Sequence, residues 1–425
     1  MSSHPHLRRN FWMHCLEGGF YMAGLAFISP ETVLPGFVQE LGGHAYLIAL
    51  MPVILPAMFS TLGLFSAPYI ERMHRFKTFV ITFGLIQRLP YLVAGLVMLF
   101  APKAAGAILY IVVLTPLISG LIGGVGVPAW MEMVTRMVPE HLRASGWAIR
   151  YVIQGVFGLT AGLIIHWILT HYPSVIGYAW LHLICFGFLV LSWLAQVFMI
   201  ETDFSQHALT TPTSYKAYIR ELPIMLWNQP SLIRLVFARF TGMGYLMLIA
   251  FMSIHSLKIS GRPTADVGHL LLANMIGALF GNVFAGWWGN RHGGRSIMLI
   301  SRGICLMLCA LLPFLTSFEG FLLAFFICGF GLFVDRVGDL TLSAELCPLQ
   351  RRPTYQSILG FCQMLCLLLA MTLSGWLFHF TQSFLAVITL SGIFATASIF
   401  IVRTIPETRH RKQEHAVMGE NPPMV

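Results

Sequence analysis

The sequence predicts an all-α membrane protein, with twelve transmembrane helices arranged as two pseudo-symmetric six-helix bundles. The first observation behind this class is composition: 57% of the 425 residues are apolar and only 10% are charged. A soluble globular protein carries roughly 25% charged residues, so this chain has too little charge to cover a water-facing surface. The other two observations are the recurrence of long apolar runs and a similarity between the two halves.

Apolar runs long enough to cross a bilayer follow one another along the whole chain. A bilayer core about 30 Å thick needs about 20 apolar residues per helical span. The first six predicted spans lie at 11–33, 44–68, 78–100, 106–131, 146–170 and 177–200. The second six lie at 232–256, 266–288, 296–316, 320–343, 354–378 and 383–402.

Basic residues predict the orientation, because lysine and arginine accumulate on the cytoplasmic side of membrane proteins. The opposite side holds only Lys103, Lys258 and Arg262. Both termini are therefore predicted to be cytoplasmic, with the chain in the inner (plasma) membrane. The net charge of +9 then reflects topology, not nucleic-acid binding. The enriched side holds Arg8, Arg9, Arg72, Arg75, Lys77, Arg136, Arg143, Lys216, Arg220, Arg291, Arg295, Arg351, Arg352, Arg403, Arg409, Arg411 and Lys412.

The longest stretch without a predicted span, residues 201–231, falls at the midpoint of the chain. Ser, Thr, Pro and charged residues dominate its start. An amphipathic pattern begins at Tyr215, which predicts a helix lying on the cytoplasmic membrane surface. The predicted domains are an N-terminal six-helix bundle at 1–200, this central loop, a C-terminal six-helix bundle at 232–405 and a cytoplasmic tail at 406–425.

The two halves also resemble each other in sequence. "EGGFYMAGLAFIS" (17–29) aligns with "TGMGYLMLIAFMS" (241–253) at an offset of 224, which matches Gly18 with Gly242. A second pair of segments matches at an offset of 209, residues 138–154 and 347–363. Because the matches keep their order, an internal duplication is favoured, and duplicated bundles around a central pathway are a transporter architecture.

Twelve spans in two sets of six, a long central loop and cytoplasmic termini resemble the major facilitator superfamily. That family's signature between its second and third helices, and again between its eighth and ninth, is G-x-x-x-D-R-x-G-R-R. Residues 286–295, "GWWGNRHGGR", keep Gly286, Arg291, Gly293 and Arg295 of this signature, with Asn290 in place of aspartate. The first copy, "SAPYIERMHRFK" (66–77), is degenerate, and Glu71 followed by Arg72 replaces its Asp-Arg.

The resemblance implies a cytoplasmic gate built from these two loops. Its arginines would contact carboxylates and helix C-terminal carbonyl groups of the neighbouring bundle and hold one conformation closed. The alternative is that the arginines only enforce topology. The implicated residues are Glu71, Arg72, Arg75, Gly286, Asn290, Arg291, Gly293 and Arg295.

The resemblance further implies secondary active transport of a small solute by alternating access, coupled to a proton or another ion. Passive facilitation and a transporter-like receptor or scaffold are the alternatives. The expected partners are the solute, the coupling ion and the lipid bilayer, and the chain is expected to be a monomer. No P-loop occurs, and no enzymatic activity, cofactor, metal or nucleic acid is expected. The eight cysteines are expected to be reduced, buried side chains and not metal ligands.

Ionisable groups inside the spans are the candidate working residues, because such groups are costly in a bilayer. Glu17 and Tyr21 follow helical spacing in a polar stripe of the first span. The resemblance places this stripe on the transport cavity; the alternative is a paired structural carboxylate. Arg88 lies near the midplane of the third span, where it either holds an anionic substrate or neutralises a carboxylate such as Glu17.

Three further polar residues complete the candidate pathway. Arg150 and Gln154 lie one turn apart on the fifth predicted span, and Asn274 lies within the eighth. The Asn274 amide either binds substrate or joins helices. Glu132 and Arg136, at the end of the fourth span, are spaced for an i,i+4 ion pair.

The segment "FVDRVGDL" (333–340) places three charges in the cytoplasmic third of the tenth predicted span. Asp335 and Asp339 share a helix face, and Arg336 is spaced to pair with Asp339 at i+3. One carboxylate is then left over. It either couples transport to a proton or cation, or completes a gate with an arginine from another helix; an exposed helix end is the third alternative.

Overall fold

The computed structural model describes residues 6–70, 73–138, 140–201, 215–347 and 352–406, and the regular elements in these ranges are helices. They belong to two compact units. The first unit comprises Met1–Thr213 and Pro263–Leu272, and the second comprises Ser214–Arg262 and Ala273–Val425.

The first unit is a bundle of long helices in which α5 contacts α3 and α4, and α1 contacts α6 and α7. A short 3-10 helix, Thr264–Asp266, and the first residues of α11 (Val267–Leu311) also belong to it. The other helices are α1 (Leu7–Phe27), α2 (Val33–Glu40), α3 (Ala45–Ile70), α4 (Lys77–Phe100), α5 (Ala105–Met137), α6 (Glu140–His171) and α7 (Ser174–Phe198).

Helix α1 carries the polar stripe predicted from the sequence. Asn10, His14 and Glu17 all lie on it and are all buried. The predicted span 11–33 runs too far, because α1 ends at Phe27 and the chain turns into the separate helix α2. The buried polar residues of α1 therefore face other helices of the same unit.

A carboxylate fixes the start of α4. Glu201 accepts hydrogen bonds from the backbone N–H groups of Phe76 (2.8 Å) and Lys77 (2.9 Å). The first N–H groups of a helix have no partner within the helix, and a negative charge there is stabilised by the helix dipole. The chain segment after α7 is thereby attached to the N-terminal end of α4.

The second unit contains the remaining helices, and α14 contacts α9 and α10 in it. The predicted seventh span, 232–256, is not one helix: it is interrupted at Gly242 and Met243. Helix α11 changes direction at Gly293, whose φ of 79° favours glycine. The helices are α8 (Tyr215–Trp227), α9 (Pro230–Thr241), α10 (Gly244–Ser260), α12 (Phe318–Leu346), α13 (Arg352–Thr381) and α14 (Phe384–Arg403).

Glycines let α11 and α12 touch backbone to backbone in the second unit. A Cβ atom at Gly277 would lie 2.0 Å from the carbonyl oxygen of Phe326. One at Gly329 would lie 2.1 Å from the carbonyl oxygen of Asn274. Small residues at such contacts are typical of helix pairs in membranes, where close packing drives association.

Eleven helical stretches in the described part of the chain are long and apolar enough to cross a membrane, and α1 completes the predicted set of twelve. Many of their exposed side chains are large and apolar, including Val93, Tyr110 and Phe100, of which Phe100 is 80% exposed. Exposed apolar surface of this extent needs a lipid environment. The fold is therefore that of a multi-pass membrane protein.

Helix α8 lies where the sequence predicts an amphipathic segment. Its residues Leu222 and Met225 are buried, and Ile224 and Trp227 are exposed. The apolar face predicted to contact lipid is thus partly packed inside the second unit, since α8 contacts α9 and α13. Ile224 and Trp227 are exposed apolar residues that remain available to a membrane surface.

Candidate functional site

A cavity of about 260 Å³ lies inside the first unit. Ligand pockets typically measure roughly 300–1,000 Å³, so this volume suits a small solute. Residues of α1, α3, α4, α5, α6 and α7 line it. Its polar lining consists of Glu17, Tyr21, Gln87, Arg88, Arg150 and Gln196, and its aromatic lining includes Phe59, Phe83 and Trp130.

The central contact of the cavity is a buried ion pair between α1 and α6. Arg150 Nη1 donates a 2.8 Å hydrogen bond to Glu17 Oε2, and both side chains are almost fully buried. Arg150 also lies near the imidazole of His14 (3.1 Å) and over the ring of Trp130 (5.1 Å to its centroid). The structure thus brings together two residues that the sequence analysis placed on separate spans without pairing them.

Gly18 makes room for this ion pair. A Cβ atom at Gly18 would lie 1.7 Å from Arg150 Cζ. Any larger residue next to Glu17 would therefore occupy the space of the guanidinium group. The position of Arg150 depends on the absence of a side chain at this one point of α1.

Arg88 is 1% exposed and lines the same cavity as Glu17, whose carboxylate attracts it electrostatically. Its three hydrogen bonds to described residues go to uncharged oxygen atoms: the carbonyls of Gly84 and Leu189 and the hydroxyl of Ser192. Its guanidinium carbon also lies 5.6 Å from the Tyr21 ring centroid. Arg150 forms the hydrogen-bonded ion pair with Glu17, and Arg88 interacts with the same carboxylate only electrostatically.

Two glutamines extend the network around the cavity. Gln196 Nε2 donates to Glu17 Oε1 (3.1 Å), and Gln87 Nε2 donates to the hydroxyl of Tyr21 (2.9 Å). The amide oxygen of Gln196 is buried and has no hydrogen-bond partner in the described part of the chain. A buried acceptor without a partner costs about 1–3 kcal/mol, so this oxygen is placed to receive a hydrogen bond from a bound solute or water.

The charges of "FVDRVGDL" lie in the second unit and are paired differently from the prediction. Asp339 accepts two hydrogen bonds from Arg239 of α9, at 2.7 and 2.9 Å. Asp335 Oδ1 lies 2.8 Å from Nη1 of Arg302 on α11. Asp335 is thus paired with an arginine from another helix, as one alternative predicted, but this helix belongs to the second unit itself and not to the other bundle. Arg336 is exposed and lies over the ring of Phe333.

Arg302 also ties together other helices of the second unit. It is 2% exposed, and its Nε donates to Ser398 Oγ of α14 (2.9 Å). Its Nη1 donates to the carbonyl of Gly242 (3.3 Å), at the break between α9 and α10. A Cβ atom at Gly242 would lie 2.1 Å from Arg302 Nη2. The interruption of the predicted seventh span therefore accommodates this arginine.

The remaining candidate residues divide between structural contacts and the cavity's surroundings. Asn274 is buried, and its amide donates to the carbonyl of Phe325 (3.3 Å), so it joins α11 to α12. Gln154 is half-buried on α6 and does not line the cavity. The predicted i,i+4 pair is confirmed, with Arg136 Nε 2.8 Å from Glu132 Oε1.

The predicted gate residues are only partly described. Glu71 and Arg72 lie outside the described residues, as does the side chain of Asn290, and Arg75 is exposed. Arg295 donates to the carbonyl of Arg403, at the end of α14 (2.9 Å). This is a helix C-terminal carbonyl, as predicted, but it belongs to the second unit itself and not to the neighbouring bundle.

The other residues of the second signature copy have local roles. Arg291 lies over the Trp287 ring, 4.7 Å from its centroid. Gly293 provides the bend of α11, and Gly286 has open space around its missing side chain. The turn geometry of the signature is therefore carried chiefly by Gly293.

Sequence reasoning missed Arg239, Arg302 and Gln196. The two arginines lie within predicted spans, so the rule that marked Arg88, the cost of a charge in a bilayer, applies equally to them. Gln196 lies at the end of the sixth predicted span, and nothing in its local sequence distinguishes it from an interfacial residue. Its role appears only when α7 is seen to contact α1.

A bundle of apolar helices with a buried, charged cavity is the architecture of a membrane transporter. The sequence model described as Major Facilitator Superfamily matches residues 87–334 and, in a second match, 240–423. The chain belongs to the Major Facilitator Superfamily. No curated protein sequence matches it significantly.

Solved structures with similar folds include several transporters. A D-xylose–proton symporter is 14% identical over 95% of this chain and 99% of its own, with a TM-score of 0.70. A POT family transporter in complex with 5-aminolevulinic acid is 13% identical over 94% and 95%, with a TM-score of 0.67. The nucleoside transporter NupG is 14% identical over 94% and 98%, with a TM-score of 0.61. At such identities the likeness shows the fold, and with the family it supports membrane transport.

Proposed function

We propose that the protein is a secondary transporter that moves a small organic anion across the inner membrane by alternating access, in symport with a proton. The observation that carries this proposal is the cavity of the first unit, where two guanidinium groups face one carboxylate. In this proposal the domains are residues 1–200 and 232–405, joined by the central loop 201–231, and both termini and the tail 406–425 are cytoplasmic.

The charge balance of the cavity supports an anionic solute. Glu17 neutralises Arg150, while all hydrogen bonds of Arg88 to described residues go to uncharged oxygens. A buried charge without a counter-charge is costly, and charge-assisted hydrogen bonds from arginine to carboxylates or phosphates are strong. An anionic group in the cavity would supply the missing negative charge, and the amide oxygen of Gln196 would accept a hydrogen bond from the solute.

The Glu17–Arg150 pair supplies a route to proton coupling. A proton on Glu17 would weaken its attraction to Arg150, and the released guanidinium would then be available to the solute anion. Loss of the proton would restore the pair and displace the solute. Proton and anion would thus bind together and leave together. The second candidate for coupling is Asp335, which would release Arg302 in the same way.

Transport by the purified protein in proteoliposomes tests the proposal. A thermal-stabilisation screen over organic anions, sugars, amino acids and nucleosides first identifies the solute. Its uptake is then measured with and without an inward proton gradient, and so is exchange without a gradient. We expect gradient-driven uptake in the wild type, and in Glu17→Gln loss of this uptake with exchange retained. Asp335→Asn tests the second candidate in the same assays.

Other outcomes assign the alternatives. If uptake by the wild type does not depend on the proton gradient, the protein is a passive facilitator. Saturable binding with neither uptake nor exchange would make it a transporter-like receptor. Loss of coupling in Asp335→Asn but not in Glu17→Gln would move the proton site to the second unit. Stabilisation by neutral solutes alone would overturn the anionic class.

A further inference from the structure

Three side chains of metal-binding type meet in the first unit, away from the cavity. They are His166 near the end of α6, Asp266 at the end of the 3-10 helix and His269 in the first turn of α11. Asp266 Oδ1 lies 3.3 Å from His166 Nδ1 and 3.2 Å from His269 Nδ1. Asp266 is nearly buried, and each histidine side chain is 35% exposed. The carboxylate of the cluster is thus held inside the protein, while the two imidazole rings can be reached by ions from the solvent.

Close backbone contact positions this cluster. A Cβ atom at Gly162 would lie 2.7 Å from the carbonyl oxygen of Gly268, and one at Gly268 would lie 2.3 Å from the carbonyl oxygen of Gly162. His166 follows Gly162 by one helical turn, and His269 directly follows Gly268. Since the two backbones touch at the glycines, the neighbouring histidines come together, with ring centroids 4.3 Å apart.

The distances between these atoms suit a common metal ion. Zinc binds imidazole nitrogen and carboxylate oxygen at roughly 2.0–2.2 Å, almost always in tetrahedral geometry. Two ligand atoms on one tetrahedral ion are therefore about 3.3–3.5 Å apart, and both His–Asp separations agree with this. All three atoms lie within 4.8 Å of one another, and rotation of the half-exposed rings would close the remaining distance between the two imidazoles.

We propose that His166, Asp266 and His269 bind a divalent transition-metal ion of the zinc type. Two imidazoles and one carboxylate are a donor set for such ions, whereas calcium and magnesium prefer oxygen ligands alone. The fourth position is available to water or to the carbonyl oxygen of Ala265, which lies 3.3 Å from His166 Nδ1. The bound ion would fasten α6 to the segment Pro263–Leu272, on the side of the membrane predicted to lie opposite the cytoplasm.

The sequence analysis predicted no metal site, because the three residues belong to segments far apart in the chain. His166 falls in the fifth predicted span, while Asp266 and His269 open the eighth. No C-x-x-C or H-x-x-x-H spacing marks them. Only the contact of α6 with the 3-10 helix brings the three together.

Titration of the full-length protein with zinc tests this site. The protein is purified in detergent through a tag without histidines, stripped with a chelator and titrated calorimetrically with zinc chloride near neutral pH. We expect saturable zinc binding and a rise in unfolding temperature, because a ligand that binds only the folded state stabilises it. His166→Gln and His269→Gln should each weaken this binding roughly 10- to 100-fold or more.

His171→Gln is the matched control, since His171 lies on the same helix, is exposed and contacts the carbonyl of Trp167. It should leave zinc affinity unchanged. Equal affinity in the wild type, His166→Gln and His269→Gln would overturn the proposal, as would absence of binding. Cobalt absorption of the wild type provides a measurement that needs no variant: the intense visible bands of tetrahedral cobalt are expected, and a weak octahedral spectrum would overturn the proposal.

Discussion

Arg88 and Arg302 make the same contact in the two units: each buried guanidinium donates a 2.9 Å hydrogen bond to a serine hydroxyl. Ser192 of α7 is the acceptor for Arg88, and Ser398 of α14 is the acceptor for Arg302. The offsets are 214 residues for the arginines (302 minus 88) and 206 for the serines (398 minus 192). They fit the shrinking series of offsets in the aligned segments and therefore support an internal duplication.

The two arginines nevertheless differ in their charge partners. Arg302 lies 2.8 Å from the carboxylate of Asp335, whereas the hydrogen bonds of Arg88 to the described chain reach only uncharged oxygens. Arg302 thus has a carboxylate partner of its own, whereas Arg88 shares the electrostatic attraction of Glu17 with Arg150. This difference supports the proposed anion site in the first unit.

The Arg302–Asp335 pair gives a prediction about stability. Removing one partner of a buried ion pair costs about 3–5 kcal/mol, and replacing both is often close to neutral. Arg302→Met should therefore lower the unfolding temperature strongly, and the double variant Arg302→Met/Asp335→Leu should recover much of the loss. Thermal unfolding in detergent measures both. A double variant less stable than Arg302→Met would show that the two residues do not depend on each other.

The position of Gly18 predicts an effect on solute binding without loss of fold. Gly18→Ala would displace the guanidinium of Arg150 and disturb its pair with Glu17. Since a hydrogen bond to a charged group contributes about 1.5–3 kcal/mol, we expect solute affinity to fall roughly tenfold or more. The comparison is Gly155→Ala, because Gly155 has open space around it. Equal affinity in both variants would contradict the assigned role of Gly18.

Backbone contact between α11 and α12 predicts a difference between two glycines of α11. Gly277→Ala places a methyl group 2.0 Å from a backbone oxygen, and such overpacking costs about 1–3 kcal/mol. Gly303→Ala meets no atom within 4 Å, and alanine favours a helix over glycine by up to about 1 kcal/mol. Unfolding temperatures should therefore fall in the first variant and hold or rise in the second. The reverse order would argue against the close approach.

The distribution of basic residues predicts the topology. Epitope tags inserted at residue 205 and at the C-terminus should be accessible only from the cytoplasm, because both regions are rich in lysine and arginine. A tag after Lys103 should be accessible only from the opposite side. Protease protection in right-side-out and inverted vesicles measures this. Residue 205 and the C-terminus on opposite sides would be incompatible with six spans between them.

The fold class follows from composition and run length, and the family resemblance also needs the two sets of six spans and the signature at 286–295. The breaks in the helices do not follow, because the interruption at Gly242 depends on the space that Arg302 occupies. Local pairs such as Glu132–Arg136 are predictable, since both residues lie on one helix one turn apart. Hydropathy thus predicts where the helices lie in the sequence. It does not predict which side chains interrupt or bend them.

Side-chain pairs between different helices cannot be predicted from the sequence, for a specific reason. The partner of a buried carboxylate depends on which helices are neighbours and how each is rotated, and hydropathy contains neither. From the sequence, Glu17 could therefore pair with either Arg88 or Arg150. The contact of α1 with α6 determines that Arg150 is its hydrogen-bonded partner. The partners of the two carboxylates in "FVDRVGDL" stay open in the sequence for the same reason, because Arg302 and Arg239 come from other helices.

The buried charges of the first unit have an electrical consequence. Glu17, Arg88 and Arg150 line the cavity and together carry a formal charge of +1 when it is empty. In the proposed symport a monoanion binds together with a proton on Glu17, and the sum stays at +1. Moving one elementary charge through a potential of 100 mV involves about 2.3 kcal/mol. A full cycle that moves one proton with one monoanion would thus carry no net charge across the membrane. The resting voltage of the cell would then add nothing to the driving force, and the pH difference alone would drive accumulation of the solute.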